Sequence, residues 1–360
     1  MPDTPVQSRQ IPEMEKVLDD VGFEWRGDAS LYLTLQHLWT ITAFSSGRIR
    51  VLLNGPTGTG KELLAKAIHR FVCGKPGQLH AVNCANLHAE TATAELFGAR
   101  RGTYTGLDHD RTGYFQLASS ADATIFLDEV HMLAPPIRPE LYRALNEGSF
   151  HRMGEPENSI DFNGNVISAA SRSIDEMKRA ETFSQDLFSR LAETDEIRIP
   201  SFGERTETHR RFLIQFAVDH WVTDGIQMEN TVKDALLDVK FPGNIRDLKS
   251  FIRLLTAYAK ADAHGSSAAP KIAMKHFDSV QNAGRWQRDA QNQQPTASHA
   301  DGRTVAIPLD GAPWKNQQRQ IVLATIEMAE GNITQAAKRL CMTRRTVHRI
   351  IAEENGEARA

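Results

Sequence analysis

The most constraining feature of the chain is a glycine-rich segment at residues 55–61, which lies between two regular patterns. Residues 49–53 form a short apolar and β-branched run, which is typical of a buried strand. After the segment, Leu64, Ile68 and Phe71 recur at the spacing of one helical face. A strand, a glycine loop and a helix N-terminus together favour anion binding, because the backbone N–H groups point at the ligand. We therefore predict a phosphate-binding loop made of Gly55, Pro56, Thr57, Gly58, Thr59, Gly60 and Lys61. The alternative is a glycine-rich turn without a ligand.

A second segment, at residues 123–129, is a continuous apolar run that ends in Asp128 and Glu129. Uninterrupted apolar runs are typical of strands buried on both faces of a parallel sheet. Open α/β sheets carry their chemistry at the carboxyl ends of such strands. With a phosphate loop upstream, we interpret the segment as a Walker B motif, in which Asp128 orients Mg²⁺ and Glu129 polarises the attacking water. The alternative is a solvated strand end with acidic residues.

The order of patterns along the chain predicts its domains. Strands that alternate with helices predict an α/β fold with a parallel sheet, and the pattern then becomes wholly helical from residue 204 to about residue 263. A polar stretch that is poor in apolar residues predicts a linker before helical periodicity returns. The predicted segments are a short N-terminal extension at 1–27, an α/β subdomain at 28–203, a helical lid at 204–281, a flexible linker at 282–313 and a helical domain at 314–360.

Composition excludes several classes of protein. The chain has 360 residues, which is enough for more than one domain. Its three widely spaced cysteines show no metal-ligand spacing and argue against a disulfide framework. The polar N-terminus does not resemble a signal peptide, and no apolar run is long enough to span a membrane. These features predict a cytoplasmic protein with no membrane partner. The formal net charge is −3, so any affinity for nucleic acid must be local.

A local basic segment lies near the C-terminus. Two short helical patterns, at 333–340 and 344–352, follow a longer one and are joined by a tight turn, which is the order of a helix-turn-helix. Every charged side chain from residue 331 to residue 352 is basic, as expected for contact with a phosphate backbone. The predicted DNA-binding residues are Lys338, Arg339, Thr343, Arg344, Arg345, His348 and Arg349. The alternative is an ordinary helical hairpin with a solvated basic face.

Together these motifs resemble those of the bacterial enhancer-binding proteins, the AAA+ activators of sigma-54 RNA polymerase. The resemblance covers residues 31–261 and 317–352. It implies an AAA+ parallel sheet with a helical lid, followed by an all-α, Fis-type helix-turn-helix. It also implies ATP and Mg²⁺ as cofactors and a homo-oligomeric ring, a hexamer, with ATP bound between subunits. In this family a glutamate typically follows the loop lysine, so Glu62 is a family marker and a candidate nucleotide-site residue.

The resemblance also implies roles for individual residues. Asn83 is expected to contact and switch Glu129. Arg190 is expected to act on the nucleotide of a neighbouring subunit, and Arg246 is expected to sense nucleotide from the lid. A glycine-punctuated loop at residues 97–107 resembles the family's signature loop, which touches sigma-54. Its residues here are Gly102, Thr103, Tyr104, Thr105, Gly106 and Leu107.

Five sites depart from the family pattern. The signature loop has Thr103 and Leu107 where the family usually has alanine. Ser171 replaces the sensor I asparagine, and Ser184 replaces an arginine that usually accompanies the trans-acting one. Residues 202–203 also lack a usual arginine. The loop threonine, Thr105, and its aromatic neighbour Tyr104 are kept. We therefore expect sigma-54 contact to survive, with a slower ATPase.

Three hypotheses about function follow. The leading one is a sigma-54-dependent transcription activator that binds upstream DNA and uses ATP hydrolysis to remodel the RNA polymerase closed complex. The second is a nucleotide-binding and DNA-binding regulator with weak or no ATPase activity that does not act on sigma-54. The third, an AAA+ remodeller of replication, leaves the signature-like loop unexplained. Because the N-terminal extension is short, the chain resembles the stand-alone subgroup, which is controlled by a regulatory protein in trans or by its own expression.

Overall fold

The computed structural model describes most of the first 282 residues and part of the C-terminal segment. The described residues are 7–24, 29–44, 48–74, 78–172, 176–177, 184–264, 270–282, 286, 322–323, 325–326, 329, 331–339, 344 and 347. The chain divides into two compact units. The first unit comprises Met1–Phe23, Thr34–Gly55 and Gly60–Ile199, and the second comprises Glu24–Leu33, Pro56–Thr59 and Pro200–Ala360.

Helices and strands are interspersed up to residue 198. In chain order they are α1 (Gln7–Val21), α2 (Ala29–Phe44), β1 (Arg50–Asn54), α3 (Lys61–Cys73), β2 (Leu79–Asn83), α4 (Ala92–Phe97), α5 (Tyr114–Leu117), β3 (Thr124–Asp128), α6 (Arg138–Asn146), β4 (Ser149–Arg152), β5 (Glu155–Asp161), β6 (Asn165–Ala170), α7 (Gln185–Leu191) and β7 (Asp195–Arg198). The elements that follow are α8 (Glu207–Trp221), β8 (Gln227–Met228), α9 (Asn230–Leu237), α10 (Asn244–Asp262), β9 (Lys271–Ile272), α11 (Met274–Asn282) and α12 (Ile333–Arg339).

Five strands of the first unit form one parallel sheet in the order β2-β3-β6-β1-β7. Strands β1 and β6 are buried along their whole length, and β3 is buried up to Asp128. Burial on both faces explains why these strands appear in the sequence as apolar runs. The parallel α/β prediction is thus confirmed. Because all five strands run the same way, the segments that follow β1, β3 and β6 emerge at one edge of the sheet.

An aromatic cluster lies beside the sheet in the first unit. The rings of Phe97 and Phe115 stack with centroids 4.8 Å apart, and the rings of Phe115 and Phe162 lie 4.9 Å apart. Phe150, from β4, packs against the same rings. All four side chains are fully buried, and truncating such a ring typically costs about 3–5 kcal/mol. The cluster therefore holds both ends of the segment between α4 and α5 against the core.

One detail of the sequence prediction is wrong. The segment after residue 204 is not wholly helical, because β8 and β9 pair in parallel with Gln227 opposite Lys271. Strands of two residues are too short to show a period of two, so the pattern could not predict them. The polar N-terminal extension is compatible with one helix near residues 14–21, and the structure has a longer helix there. Helix α1 begins at Gln7 and buries Met14 and Leu18, and it packs on α3.

In the C-terminal segment, helix α12 lies within the first predicted short helix. The side-chain oxygen of Asn332 accepts hydrogen bonds from the backbone N–H groups of Thr334 and Gln335, both at 3.1 Å, which is the geometry of an N-cap. Lys338 and Arg339 are helical, and Arg344 is exposed. The other predicted DNA-binding residues, Thr343, Arg345, His348 and Arg349, lie outside the described residues. None of the helices in the described part is long and apolar enough to cross a membrane.

Candidate functional site

The glycine-rich loop owes its shape to two left-handed residues. Gly58 has φ 79° and Gly60 has φ 99°, a region that only glycine adopts at little cost. A Cβ atom built on Gly58 would lie 2.1 Å from the carbonyl oxygen of Gly243, so a larger residue does not fit there. The hydroxyl of Thr59 donates to the carbonyl oxygen of Pro56 at 2.8 Å, which closes the turn. Glycine, threonine and proline are typical of such turns, so this conformation agrees with the residue types of the predicted loop.

Lys61 is the first residue of α3 and is only 7% exposed. Its Nζ donates a hydrogen bond to the carbonyl oxygen of Gly55 at 2.7 Å, which folds the ammonium group back over the loop. The adjacent Glu62 is exposed and pairs with Lys66 one turn along the helix at 2.7 Å. A buried lysine at a helix N-terminus provides positive charge and backbone N–H groups at one place, which suits phosphate.

Asp128 ends β3, and it lies opposite Asn83 at the end of the neighbouring β2. One carboxylate oxygen of Asp128 accepts the backbone N–H of Glu129 at 3.0 Å. Burial raises the pKa of the Asp128 carboxyl, the nearby Glu129 charge raises it further, and Lys61 opposes both effects. Two neighbouring carboxylates in a partly buried site favour a cation, because a cation relieves their mutual repulsion.

Glu129 has a left-handed backbone, with φ 50° and ψ 45°. Its Oε2 accepts two hydrogen bonds from Ser171, one from the backbone N–H at 3.1 Å and one from the hydroxyl at 2.7 Å. The Nδ1 of His131 lies 3.4 Å from the same oxygen, without hydrogen-bond geometry. Burial lowers the pKa of His131 although the Glu129 charge raises it, so we expect a neutral imidazole near pH 7.

Ser171 and His131 are therefore site residues that sequence reasoning missed. Ser171 was identified only as a departure from a family pattern. Its position directly after the apolar run of β6 is the signal that could have found it, because a residue there emerges at the same sheet edge as Glu129. His131 carries no such signal, since a lone histidine after an acidic pair has no characteristic spacing.

Asn83 is not hydrogen-bonded to Glu129 in this structure. Its side chain is exposed, and its Oδ1 accepts the backbone N–H of Ala85 at 2.9 Å. Asn83 thus caps the short 3₁₀ turn that follows β2. Its role as a switch for Glu129 stays a prediction.

Arg190 lies in the last turn of α7 with its side chain 38% exposed, and it forms an ion pair with Glu193 at 3.6 Å. Ser184 is the N-cap of the same helix, and its hydroxyl oxygen accepts the backbone N–H of Leu187 at 3.2 Å. The serine that replaces a family arginine thus has a local structural role here. The trans-acting role of Arg190 stays a prediction.

Within the second unit, the turn before α10 contacts the loop residues 56–59. The Nδ2 of Asn244 donates to the carbonyl oxygen of Thr57 at 2.9 Å, and the N–H of Ile245 donates to the carbonyl oxygen of Gly58 at 3.0 Å. Arg246, in the first turn of α10, is exposed. It lies close to Gly58, because a Cβ atom added to Gly58 would be only 3.2 Å from the Cβ of Arg246. The structure therefore brings Arg246 beside one part of the predicted phosphate loop. Asn244 is a further contact that the sequence analysis did not single out.

The signature-like loop closes through backbone hydrogen bonds. The N–H of Gly102 donates to the carbonyl oxygen of Leu107 at 2.9 Å, and the N–H of Leu107 donates to the carbonyl oxygen of Tyr104 at 3.2 Å. Between these contacts, Thr105 and Gly106 are exposed. The tip of the loop therefore presents Thr105 on a turn that is held at both ends.

Thr103 and Leu107, the two residues that stand where the family usually has alanine, both anchor the loop. Leu107 is only 8% exposed and packs with Ala94, Ala99, Tyr104 and Met153. The hydroxyl of Thr103 lies within hydrogen-bond distance of two backbone carbonyl oxygens, those of Arg100 and Met153. In this chain the side chains of Leu107 and Thr103 therefore hold the loop against the residues that flank it. Thr105 remains exposed at its tip.

The residues at the sheet edge fit Mg²⁺ bound together with a nucleotide. The described part of the chain holds no group of three histidine, cysteine or acidic side chains that could enclose a metal ion. Mg²⁺ in nucleotide enzymes is usually bound by one or two carboxylates, with phosphate oxygens and water as the other ligands. Asp128, with the charges of Glu129 and Lys61 nearby, provides one carboxylate of such a ligand set.

Comparison with known proteins identifies both domains. Residues 32–196 match the sigma-54 interaction domain, and residues 315–353 match the Fis family of bacterial regulatory proteins. The chain is 30% identical over 319 residues to the transcriptional regulatory protein ZraR of Escherichia coli O157:H7, covering 87% of this chain and 65% of the relative. It is 35% identical over 206 residues to a Nif-specific regulatory protein of Bradyrhizobium diazoefficiens, covering 56% of this chain and 34% of the relative.

A third relative is the anaerobic nitric oxide reductase transcription regulator NorR of Aeromonas salmonicida, at 29% identity over 313 residues, which is 86% of this chain and 59% of the relative. The chain thus spans less than two thirds of the length of these curated relatives. Among solved structures, it matches NtrX from Brucella abortus in complex with ADP with a TM-score of 0.59 at 22% identity, covering 98% of this chain and 74% of NtrX. The likeness to NtrX shows the fold alone.

The matched segments agree with the motifs and with the parallel sheet. The first match ends two residues before the end of β7, and the second covers α12. The chain therefore carries a sigma-54 interaction domain of the AAA+ type followed by a Fis-type helix-turn-helix domain, which confirms its resemblance to the bacterial enhancer-binding proteins.

Proposed function

We propose that the protein is a sigma-54-dependent transcription activator that binds upstream DNA and hydrolyses ATP to remodel the RNA polymerase closed complex. The observation that carries the proposal is the arrangement of Lys61, Asp128 and Glu129 in a sigma-54 interaction domain. The lysine lies at the N-terminus of α3, and the two carboxylates lie at the carboxyl end of β3. The carboxyl edge of one sheet therefore carries Lys61 for phosphate, Asp128 for the metal and Glu129 for water.

The proposed roles follow from the chemistry of each group. The loop backbone and Lys61 bind the phosphates, and Asp128 holds Mg²⁺, which when bound neutralises charge on the phosphate oxygens. Glu129 takes the proton of the attacking water. Arg246 contacts the nucleotide from the lid, and Asn83 couples the nucleotide state to Glu129.

The ATPase proposal is tested by steady-state turnover of the full chain and of its Glu129→Gln variant. The amide keeps the shape of the side chain and cannot accept a proton from water, so we expect turnover to fall by at least about a hundredfold. Glu157→Gln is a matched control, since Glu157 is exposed on β5, away from the motifs. If the unmodified chain binds ATP without turnover that depends on Glu129, the second hypothesis, a nucleotide-binding regulator with little ATPase activity, replaces the first.

The sigma-54 proposal is tested at the exposed tip of the loop. We expect Thr105→Ala to leave ATP hydrolysis within about twofold, because the tip lies outside the phosphate site. We also expect it to abolish binding to sigma-54 holoenzyme and activation in a purified transcription assay. Asp108→Ala changes an exposed neighbour in the same segment and serves as the control. Normal activation by Thr105→Ala would show that another surface contacts sigma-54.

DNA binding is assigned to the C-terminal domain, with Arg344 and Arg345 among the contact residues. Removal of residues 315–360 is expected to abolish site-specific binding to upstream DNA and to leave ATP hydrolysis in place. Substituting Arg344 alone should weaken binding and reduce its dependence on salt, because one phosphate contact fewer releases fewer counterions. Loss of both activities on truncation would contradict the division into separate domains.

The proposal includes a homo-oligomeric ring, a hexamer, in which Arg190 acts on the nucleotide of a neighbouring subunit. Mixing inactive Glu129→Gln subunits with inactive Arg190→Ala subunits tests this arrangement. Some interfaces of a mixed ring then combine an intact Glu129 with an intact Arg190, so part of the ATPase activity should return. Absence of any recovery, while sedimentation shows mixed rings, would assign Arg190 to its own subunit. A regulatory protein acting in trans is a further proposed partner.

A further inference from the structure

Leu33 is buried although it lies off the main apolar face of α2. Leu31, Leu35 and Leu38 recur at the spacing of one helical face, and each of them is at most 1% exposed. Leu33 lies two residues from Leu31 and two from Leu35, and two residues turn a helix by about 200°. Its side chain therefore leaves the helix from nearly the opposite side, yet it is also only 1% exposed. Helix α2 is thus covered on two sides at its start.

The side of α2 that carries Leu33 is covered by the C-terminal segment. Leu33 forms one apolar cluster with three residues of that segment, each at most 3% exposed, which are Val322, Ala337 and Val347. Two partly buried isoleucines of the same segment pack against this cluster, Ile326 and Ile333. Residues 24–33 and the C-terminal segment belong to the same unit, the second one. The apolar core of the helix-turn-helix domain thus includes one residue from α2.

Composition explains why both sides of this contact gain from it. Helix α2 has no lysine, arginine, aspartate or glutamate among its 16 residues, and a helix without a polar face needs cover on all sides. The C-terminal match spans only residues 315–353, and domains of about 40 residues seldom bury enough apolar surface by themselves. The contact therefore covers one side of an apolar helix and enlarges a small core.

We propose that the start of α2 is a docking surface for the chain's own C-terminal domain, with Leu33 as its apolar anchor. The ring of Trp286 packs on Phe251 of α10 with centroids 5.2 Å apart, so residues 287–321 tether the domain to its own chain. A tether of this kind raises the local concentration of the domain to the order of millimolar. Docking within one chain is therefore favoured over docking onto a second copy.

Docking leaves a predicted DNA contact accessible. Arg344, one of the predicted DNA-binding residues, is exposed in the docked domain. Leu33 covers the apolar side of the domain, which carries Ala337 and Val347. Binding of a DNA phosphate by Arg344 therefore requires no separation from α2. We expect the domain to bind DNA while it stays docked.

Hydrogen exchange of the full chain tests the docking surface. Leu33→Glu places a charge where an unpaired charge cannot stay buried, so it should release the domain and speed exchange in residues 331–339 by about tenfold or more. Exchange in β1, β3 and β6 should not change. Leu35 is buried and belongs to the first unit, so Leu35→Glu should instead speed exchange in these three strands. Leu254→Glu makes the same change at an exposed leucine of α10 and is the matched control.

The reciprocal change starts from the C-terminal domain. Ala337→Glu should speed exchange in residues 31–35, whereas Gln335→Glu, at an exposed position of α12, should not. In the unmodified chain, exchange in residues 31–35 should be equally slow at high and low protein concentration. It should also stay slow when duplex DNA is added at low salt.

The outcomes that would overturn the proposal are specific. One is normal exchange of residues 331–339 in Leu33→Glu, and another is disturbance of β1, β3 and β6 as strong as in Leu35→Glu. Faster exchange of residues 31–35 on dilution would assign the surface to a second copy of the chain. Faster exchange there on addition of DNA would show that the domain leaves α2 to bind DNA. These measurements need no ATP turnover, so their results are independent of the proposed ATPase function.

Discussion

The side chain of Asn244 donates a hydrogen bond from Nδ2 to the carbonyl oxygen of Thr57 at 2.9 Å. Its Oδ1 accepts the backbone N–H of Phe202 at 2.7 Å, so one buried amide joins two backbone segments of the second unit. Asn244 has a left-handed backbone with φ 53°, a conformation that asparagine tolerates better than most residues. Residue type, backbone conformation and hydrogen bonding therefore all favour asparagine at this position.

Two substitutions of Asn244 separate its hydrogen bonds from its backbone conformation. Asn244→Gly keeps the left-handed backbone and leaves the buried N–H of Phe202 without this acceptor, which should lower the free energy of unfolding by about 1–3 kcal/mol. Asn244→Ala should cost about 1 kcal/mol more, because alanine strains at positive φ. Urea unfolding measures both values, and nucleotide binding should weaken in parallel. Equal stabilities of the glycine and alanine variants would contradict the argument about backbone conformation.

Leu107 is expected to hold the signature-like loop in shape. Leu107→Ala restores the residue that the family usually has, yet it removes the largest buried side chain of a small cluster and should cost up to about 2 kcal/mol locally. We expect faster hydrogen exchange in residues 100–111, weaker sigma-54 binding and an unchanged KM for ATP. Thr105→Ala should leave exchange in the same residues unchanged, because its side chain is exposed. If Leu107→Ala exchanges at the normal rate, the anchoring role is wrong.

His69 predicts a loss of stability in acid. Its Nδ1 lies 2.8 Å from the hydroxyl of Thr124, and burial, aided by the charge of Arg70, lowers the pKa of the imidazole. In the unfolded chain a histidine has a pKa of about 6.5. Below that pH the unfolded state binds a proton that the folded state rejects, so the free energy of unfolding should decrease as pH falls from about 6.5 toward the lowered pKa.

The measurement is the free energy of unfolding at several pH values between 7 and 5. His69→Gln cannot bind this proton and should show a shallower decline. His109→Gln changes an exposed histidine and is the matched control. The same slope in His69→Gln and in the unmodified chain would show that other groups cause the acid instability.

Ser184 should contribute to stability through its cap. Its oxygen accepts the N–H of Leu187, and loss of such a cap typically costs about 1 kcal/mol. Ser184→Ala should therefore lower the free energy of unfolding by about that amount, whereas Ser184→Asp should retain the cap. If Ser184→Asp is as unstable as Ser184→Ala, the capping interpretation is wrong.

Local chemistry was sufficient for the sequence to predict a glycine loop that leads into a helix, and the parallel sheet. Glycines at positions that require left-handed turns, a lysine at a helix start and apolar runs for buried strands each leave a signal within about ten residues. The same holds for Asp128 and Glu129, because the end of an apolar run marks the carboxyl edge of the sheet. The short strands β8 and β9 left no signal, since two residues are too few to show a period.

The contacts around the candidate site depended on the tertiary structure. Ser171 reaches Glu129 because β6 lies beside β3, and Asn244 reaches Thr57 across 187 positions. Leu107 appears in the sequence as a departure from a loop pattern, and only packing shows that it is an anchor. Residue types and spacing thus determine which chemical groups the chain possesses. Strand order and side-chain packing decide which of those groups meet, because hydrogen bonds and burial depend on distance in space.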